Sequence, residues 1–171
     1  LAAHARRGGR VLGICGGFQM LGRSIADPDG VEGPPGAAEG LGLLDVETML
    51  TGDKVLRPAA GRLVSGAPFA GYEIHVGRTT GPGLRRPLLV RQDGAGEGAV
   101  SADGRIAGAY VHGLFDGAQA RASLLAELGA ASDGLDQIAR VDAALDEIAA
   151  VLQSAFDIPR LAAIAGLEPR A

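Results

Sequence analysis

A strand that turns sharply into a helix is predicted by the sequence Val11-Leu12-Gly13-Ile14-Cys15-Gly16-Gly17-Phe18-Gln19-Met20-Leu21-Gly22. An apolar run ends at Cys15, the single cysteine of the chain, and two glycines follow it. A segment with helical spacing of Phe18, Leu21 and Ile25 then begins at once. Because glycines allow a tight turn without a Cβ clash, this layout is typical of a nucleophile elbow.

In such an elbow Cys15 lies at the N-terminus of the helix, where the helix dipole and free N–H groups favour a thiolate. The alternative is a small buried cysteine at the end of a strand, which is the commoner fate of a lone cysteine. Gly13 and the pair Gly16-Gly17 favour the nucleophile, because a packed core cysteine does not need glycines on both sides.

A cysteine nucleophile needs a base, and the chain has three histidines. His4 lies in a basic opening segment and is expected to be solvated. His75 and His112 both fall in β-like runs. Because His112 ends the run 106–111 and is followed by glycine, it is the stronger candidate for the base.

Five collinear sequence blocks between Val11 and about Leu125 resemble one family. They are Cys15-Gly16-Gly17-Phe18-Gln19-Met20-Leu21-Gly22, Asp27-Pro28 with Gly30-Val31-Glu32-Gly33, Gly40-Leu41-Gly42-Leu43-Leu44, Gly71-Tyr72-Glu73-Ile74-His75, and Tyr110-Val111-His112-Gly113-Leu114-Phe115-Asp116. The chain thereby resembles the glutamine amidotransferase domains of the cobyric acid synthase family. Five blocks in one order are far more specific than any single block.

The resemblance implies a glutaminase in which Cys15 attacks the side-chain amide of glutamine and His112 relays protons. The N–H of Gly16 would form half of the oxyanion hole. The ammonia would serve ATP-dependent amidation of carboxylates of (adenosyl)cobyrinic acid a,c-diamide, a corrinoid of cobalamin biosynthesis. No cofactor is expected in this chain, which lacks a phosphate loop, so ATP and Mg²⁺ are expected in a separate synthetase domain.

The segment 1–9 reads as the last turns of a helix closed by glycine, with no strand before it. In related amidotransferases a preceding strand and loop supply the other half of the oxyanion hole. We therefore expect residues 1–171 to be one amidotransferase domain that is truncated at its N-terminus and weakly active alone.

The composition describes an ordinary globular protein, with 47% hydrophobic and 21% charged residues and a net charge of −4. This charge gives no indication of nucleic-acid binding. No apolar stretch is long enough to span a membrane, and a single cysteine suits a reducing compartment. We expect a cytoplasmic protein with no membrane partner, and the histidine spacing predicts no metal site.

The resemblance implies an α/β fold of the Rossmann-like class I glutamine amidotransferase type, a mixed sheet with an antiparallel extension flanked by helices. Asp27 to Gly40 is rich in glycine and proline and is expected to be a loop. Strands of an antiparallel extension are predicted at 43–50, 54–64, 71–79, 88–92, 99–101 and 105–111, the last two joined by a hairpin through Asp103-Gly104. The final third predicts helices, one with a single apolar face for packing on the sheet.

A third catalytic residue is not evident, because Leu114 occupies the position two residues after His112 where many related triads have glutamate. The orienting acid could be Glu73, Asp45, Glu47 or Asp116, or a Cys–His dyad could suffice.

Glu73 and His75 alternate with apolar residues on a strand. They could line a half-buried polar face, or contact glutamine, the corrinoid or the synthetase domain. Together with Gln19 they are predicted as orienting or substrate contacts.

Two other functions fit the same pattern. One is the amidotransferase of a related enzyme, such as a cobyrinate a,c-diamide synthase or a cell-wall precursor amidotransferase. The other is a binding or redox-sensing domain whose cysteine is catalytically idle.

Overall fold

The computed structural model describes residues 1–167, which divide into one compact unit over Leu1–Gly134 and a second from Leu135 onward. The helices of the first unit are α1 (Ala2–Arg6), α2 (Gly16–Leu21) and α3 (Ala118–Glu127). Its strands are β1 (Val11–Ile14), β2 (Ser24–Asp27), β3 (Gly36–Glu39), β4 (Glu47–Leu63), β5 (Pro68–Thr80), β6 (Leu89–Arg91), β7 (Gly96–Glu97), β8 (Ala99–Val100), β9 (Ile106–Ala109) and β10 (Val111–His112).

The strands of residues 1–167 form two sheets. The smaller has the order β1-β9-β8, with β1 parallel to β9. The larger has the order β10-β5-β4-β2-β3, with β6 paired to β4 and β7 paired to β6. The predicted α/β fold, with a parallel pair beneath Cys15 and an antiparallel extension, is confirmed.

The predicted hairpin through Asp103-Gly104 is present, because β8 and β9 pair antiparallel across it. The strand predicted over 105–111 is wrong in one respect. It breaks at Tyr110, so that β9 belongs to the smaller sheet and β10 to the larger.

The antiparallel pair β4 and β5 forms the longest ladder of the larger sheet. The sequence predicted two strands, 43–50 and 54–64, where the structure has the single strand β4. The register shifts between Met49 and Lys54. The polar, glycine-containing residues that suggested a boundary between two strands lie within this irregularity of β4.

The predicted loop from Asp27 to Gly40 contains a strand that the sequence did not indicate. Strand β3 pairs antiparallel with β2, and all its residues are exposed. An exposed edge strand has no apolar alternation from which it could be recognised. The helical spacing of Phe18, Leu21 and Ile25 predicted too long a helix. Helix α2 ends at Leu21, and Ile25 lies in the extended strand β2.

The remaining loop is held by Asp27, whose carboxylate accepts the N–H groups of Val31 at 2.7 Å and Glu32 at 3.0 Å. These bonds to the backbone keep the pKa of Asp27 below its ordinary value.

The elbow helix α2 is fixed by its buried side chains. Phe18 and Leu21 are each 1% exposed and pack in a cluster with residues including Val46, Ile106 and Tyr110. Gly108 permits this packing, because a Cβ there would lie 2.4 Å from the ring of Phe18.

The second unit contains α4 (Gln137–Ala155) and α5 (Ile158–Ile164). Asp136 caps α4 by accepting the N–H groups of Ile138 and Ala139. The predicted amphipathic helix is present, and its apolar side chains are exposed, namely Ile138, Val141, Leu145, Ile148 and Leu152. Packing of this face on the sheet stays a prediction. No helix within residues 1–167 is both long and apolar enough to cross a membrane.

Candidate active site

Cys15 occupies the turn between β1 and α2 in a strained conformation. Its φ is +54° and its ψ is −117°, and among residues 1–167 it is the one non-glycine residue with positive φ. Such a conformation costs a side-chain-bearing residue on the order of 1–3 kcal/mol and is concentrated at functional sites. The turn places Cys15 immediately before Gly16, the first residue of α2. The predicted elbow is therefore present.

The glycines around Cys15 have different roles. A Cβ on Gly13 would lie 2.6 Å from the carbonyl oxygen of Gly17, so only glycine lets α2 fold back this closely over β1. A Cβ on Gly16 or Gly17 would meet nothing within 4 Å. These two positions thus border open space, from which a substrate can reach the start of the helix.

The thiol of Cys15 is partly buried and lies 3.4 Å from the carbonyl oxygen of Ile74 on β5, to which it donates. The backbone N–H of Cys15 donates to the carbonyl oxygen of Ala109 at 2.9 Å. The nucleophile candidate is therefore held against two strands, β9 and β5.

His112 is the last residue of β10 and pairs with Tyr72 of β5. Its ring stacks on the ring of Tyr72, with centroids 5.1 Å apart and planes 7° from parallel. Its Nε2 is buried and has no hydrogen-bond partner within the described part of the chain. A buried, unpartnered ring nitrogen at a strand end is available for proton transfer to a bound substrate.

Cys15 contacts the same two stretches of backbone that position His112, 109–112 and β5. Ala109, which accepts the N–H of Cys15, is three residues before His112. Ile74, which faces the thiol, is two residues from Tyr72, the partner of His112. Cys15 and His112 are therefore positioned by neighbouring residues of the same two strand segments, and their roles as nucleophile and base stay predictions.

Glu73 is the centre of a buried ionic cluster rather than a partner of His112. It is 2% exposed, and its Oε2 accepts from Arg57 Nη2 at 2.9 Å. Its Oε1 accepts from Arg91 Nη1 at 3.4 Å, and its Oε2 lies 3.6 Å from His75 Nε2. Such a carboxylate is costly to bury unless paired, and two guanidinium groups supply the pairing.

His75 is stacked against Tyr110, with ring centroids 3.7 Å apart and planes 17° from parallel. Its Nδ1 is buried without a partner among residues 1–167. Both residues line a cavity of about 260 Å³, which is also lined by Glu73, Arg91 and Glu97.

Gln19 uses its side-chain amide nitrogen inside the protein. Nε2 donates to the carbonyl oxygen of Val76 at 3.1 Å and to the hydroxyl of Tyr110 at 3.2 Å. Gln19 thereby ties α2 to β5, while its role as a substrate contact stays a prediction.

The carboxylates considered as the third catalytic residue are engaged elsewhere or exposed. Asp45 pairs with Arg23 at 2.6 Å, and Glu47 is exposed. Asp116 lies beside Gly113, with Oδ2 3.2 Å from the position of a Cβ there. Within residues 1–167 none of the four candidates forms an ion pair with His112.

Glu97 is a buried carboxylate that the sequence did not single out. It is 8% exposed, and its Oε1 accepts the backbone N–H of Tyr110 at 2.7 Å. Burial raises the pKa of Glu97 to about 7, against the opposing effect of the Tyr110 N–H. A lone glutamate in a glycine-rich turn segment carries no local signal of burial, so sequence reasoning had nothing with which to find it.

His4 is exposed, as expected, and its Nε2 lies 3.1 Å from the carbonyl oxygen of Arg10. In residues 1–167 no group of three or more histidine, cysteine, aspartate or glutamate side chains could hold a metal ion.

Strand β1, which pairs parallel with β9, leads into α2 through the strained turn at Cys15. This is the geometry of a nucleophile elbow in a Rossmann-like α/β fold. The chain belongs to the family of CobB/CobQ-like glutamine amidotransferase domains, whose family model matches residues 1–120.

Curated relatives are similar over nearly the whole chain. The cobyric acid synthase of Caulobacter sp. (strain K31) is 67% identical over 98% of this chain, and that of Methylocella silvestris is 60% identical over 96%. The cobyric acid synthase of Bradyrhizobium sp. (strain BTAi1) is 59% identical over 100%. The chain spans about a third of the length of these relatives, 35% in each case.

Proposed function

We propose that this chain is the glutaminase part of a cobyric acid synthase. It hydrolyses glutamine and supplies ammonia for ATP-dependent amidation of carboxylates of (adenosyl)cobyrinic acid a,c-diamide. The observation that carries this proposal is the strained conformation of Cys15 between β1 and α2, in a chain whose family is that of glutamine amidotransferase domains. The name printed for the similar relatives supports the choice of corrinoid acceptor.

In the first half of the reaction the Cys15 thiolate attacks the side-chain carboxamide carbon of glutamine. The new C–S bond moves the carbonyl electron pair onto oxygen, which the N–H of Gly16 at the start of α2 stabilises. His112 Nε2 donates a proton to the amide nitrogen. The C–N bond then breaks, leaving ammonia and a γ-glutamyl thioester on Cys15.

In the second half His112 accepts a proton from water, whose oxygen attacks the thioester carbon. A second tetrahedral oxyanion forms at the same N–H group and collapses, expelling the Cys15 thiolate and releasing glutamate. His112 therefore serves both halves of the reaction, as the acid in the first and as the base in the second. A dyad is sufficient for this chemistry because a thiolate needs no further activation.

Glu73 and His75 support the site in this proposal without touching the reacting atoms. Their strand carries Ile74, whose carbonyl oxygen contacts the Cys15 thiol, and the two arginines on Glu73 hold that strand in place. Contact of Glu73, His75 or Gln19 with other parts of glutamine or with the corrinoid stays a prediction.

The acceptor chemistry belongs to the rest of the full-length protein in this proposal. There ATP and Mg²⁺ would convert a corrinoid carboxylate to an acyl phosphate, and ammonia would displace the phosphate. We expect the reaction in the cytoplasm, where the Cys15 thiol stays reduced.

The proposal is tested by trapping the thiol in the full-length protein with 6-diazo-5-oxo-norleucine, an electrophile that resembles glutamine. We expect fast labelling of Cys15 that glutamine competes away, and much slower labelling after His112→Ala. Labelling at the rate of a generic alkylator such as iodoacetamide, with no protection by glutamine, would instead indicate a catalytically idle cysteine.

A further inference from the structure

Tyr110 lies where the chain leaves one sheet and enters the other. Residues up to Ala109 pair in the smaller sheet, and residues from Val111 onward pair with β5 in the larger sheet. The N–H of Tyr110 is bonded by a side chain, Oε1 of Glu97, at 2.7 Å. Within a regular ladder a neighbouring strand's carbonyl would accept such a bond, so Glu97 replaces the missing strand partner.

The contacts that position the two proposed catalytic residues lie on either side of Tyr110 in the sequence. One residue before Tyr110, the carbonyl of Ala109 holds the N–H of Cys15. Two residues after Tyr110, His112 lies opposite Tyr72 on β5. A change in the backbone of Tyr110 therefore alters the position of His112 relative to the Cys15 thiol.

The side chain of Tyr110 is already fixed by other contacts. Its hydroxyl lies 2.6 Å from Thr79 Oγ1 and accepts from Gln19 Nε2 at 3.2 Å. Its ring stacks on His75 and meets the ring of Phe18 edge-on, with centroids 5.3 Å apart. The backbone N–H of Tyr110 is the remaining polar group of this residue, and it donates its hydrogen bond to Glu97.

A buried carboxylate is an expensive way to satisfy one N–H group. Glu97 Oε2 is buried without a hydrogen-bond partner within residues 1–167. The charged groups around the carboxylate are Glu73, which repels it, and Arg57 and Arg91, which attract it; His75, Arg78 and Tyr110 line the same cavity. Such a cost is expected where the bond to Tyr110 has a function of its own.

We propose that Glu97 is a positioning residue for the glutaminase reaction. It holds the backbone of Tyr110 at the crossing between the sheets and thereby sets His112 against the Cys15 thiol. Glu97 acts through Tyr110 and touches neither the substrate nor the reacting atoms. This inference rests on the proposed function, which supplies the roles of Cys15 and His112.

The test compares Glu97→Ala with Glu97→Gln in the full-length protein, because glutamine keeps an oxygen that can accept the Tyr110 N–H. Glutamate release is measured at a temperature where both variants are folded. Misplacement of a catalytic group by about 1 Å costs up to roughly 100-fold in rate. We expect kcat to fall about 10- to 100-fold in Glu97→Ala, with KM changed less than about 3-fold, and Glu97→Gln to stay within about 3-fold of the original kcat.

Leu50→Ala is the matched control, because Leu50 is also buried, on β4, but belongs to neither of the two apolar clusters that contain Ala109, Tyr110 and Val111. It is expected to lower the unfolding temperature and leave kcat unchanged. An unchanged kcat in Glu97→Ala overturns the proposal. Equal losses in both Glu97 variants also overturn it, since they would make the charge, not the acceptor, responsible.

A readout without activity separates this inference from the proposed function. With ¹⁵N-labelled histidine, the ring signals of His112 are assigned by their loss in His112→Ala. We expect them to shift in Glu97→Ala and to stay in place in Glu97→Gln and Leu50→Ala. Unmoved signals in Glu97→Ala overturn the positioning role, whether or not the protein hydrolyses glutamine. Absence of glutamine hydrolysis in the unmodified protein contradicts the proposed function alone.

Discussion

The N–H of Cys15 donates a hydrogen bond to the carbonyl oxygen of Ala109 at 2.9 Å, one residue beyond the last pair of the β1–β9 ladder, Ile14 with Ala109. The sheet therefore holds Cys15 at the point where the chain leaves it for α2. Cys15 keeps its strained conformation because its backbone N–H is bonded to β9 and the helix that follows is packed through the buried Phe18. A strained residue persists when its surroundings determine its conformation in this way.

Relief of this strain is the first prediction. Cys15→Gly removes the Cβ that disfavours positive φ, whereas Cys15→Ala removes only the sulfur and keeps the strain. We expect the glycine variant to be more stable than the alanine variant by roughly 1 kcal/mol, since the extra entropy of an unfolded glycine offsets part of the 1–3 kcal/mol. Unfolding by denaturant measures the difference, and an alanine variant that is the more stable of the two would contradict it.

Replacement of the nucleophile separates the two halves of the proposed enzyme. In Cys15→Ser the hydroxyl is not ionised as a thiol is, so glutamine-dependent amidation of the corrinoid is expected to fall by at least about 10³-fold. Amidation with added ammonium salt is expected to persist, because the ATP-dependent chemistry takes place elsewhere. The amide product is measured by mass spectrometry with each nitrogen source. Loss of both activities would contradict this division.

The two partly buried histidines, His75 and His112, are expected to respond differently to truncation. His112→Ala removes the proposed acid and base, so glutamate release should fall as it does in Cys15→Ser. His75→Ala removes a ring stacked on Tyr110 and is expected to lower the unfolding temperature while leaving appreciable glutaminase activity. Kinetics and thermal unfolding of both variants are compared. Equal loss of activity at equal folded fraction would mean that His75 takes part in the chemistry.

The elbow was predictable because its determinants are local. Gly13, Cys15 and Gly16 lie within four residues, and Gly13, the glycine that the close approach of α2 requires, is visible in the sequence itself. The place of His112 at the end of a strand was predictable for a similar reason, since it ends an apolar run before Gly113, whose φ is +82°.

The crossing at Tyr110 was not predictable, because it depends on pairing between distant segments. Ile106–Ala109 pairs with β1, but Val111 pairs with Glu73 of β5, and no feature of the continuous apolar run marks the change. The burial of Glu97 follows from that crossing and is hidden for the same reason. The ionic cluster on Glu73 likewise requires Arg57 and Arg91 from two other strands.

The contrast between two elbow glycines gives the next prediction. Gly13→Ala places a Cβ 2.6 Å from the carbonyl oxygen of Gly17, a clash with backbone that forces α2 away from β1. Gly16→Ala is the control, because a Cβ there meets nothing within 4 Å. We expect Gly13→Ala to lower stability by roughly 1–3 kcal/mol and Gly16→Ala to change it by less than about 1 kcal/mol. Equal unfolding temperatures would show that the helix is not packed so closely on the strand.

The titration of Glu97 gives the last prediction. Folding raises the pKa of this carboxyl from an ordinary 4.5 to about 7, chiefly because burial disfavours the charged form. Between these two values the folded protein binds a proton that the unfolded chain has released. Stability contributed by the neutral carboxyl is therefore complete below about pH 4.5 and is lost as the pH rises through about 7.

Glu97→Gln keeps the acceptor for the Tyr110 N–H but has no proton to lose. Relative to the original protein, this variant is expected to gain stability between pH 5 and pH 8, by roughly 1–3 kcal/mol in all. The carboxylates whose pKa is lowered, Asp27, Asp93 and Asp103, are present in both proteins, so their contributions cancel in the difference. Denaturant unfolding across this pH range measures the effect. Parallel stability curves for the two proteins would show that the carboxyl of Glu97 ionises as readily in the folded state as in the unfolded chain.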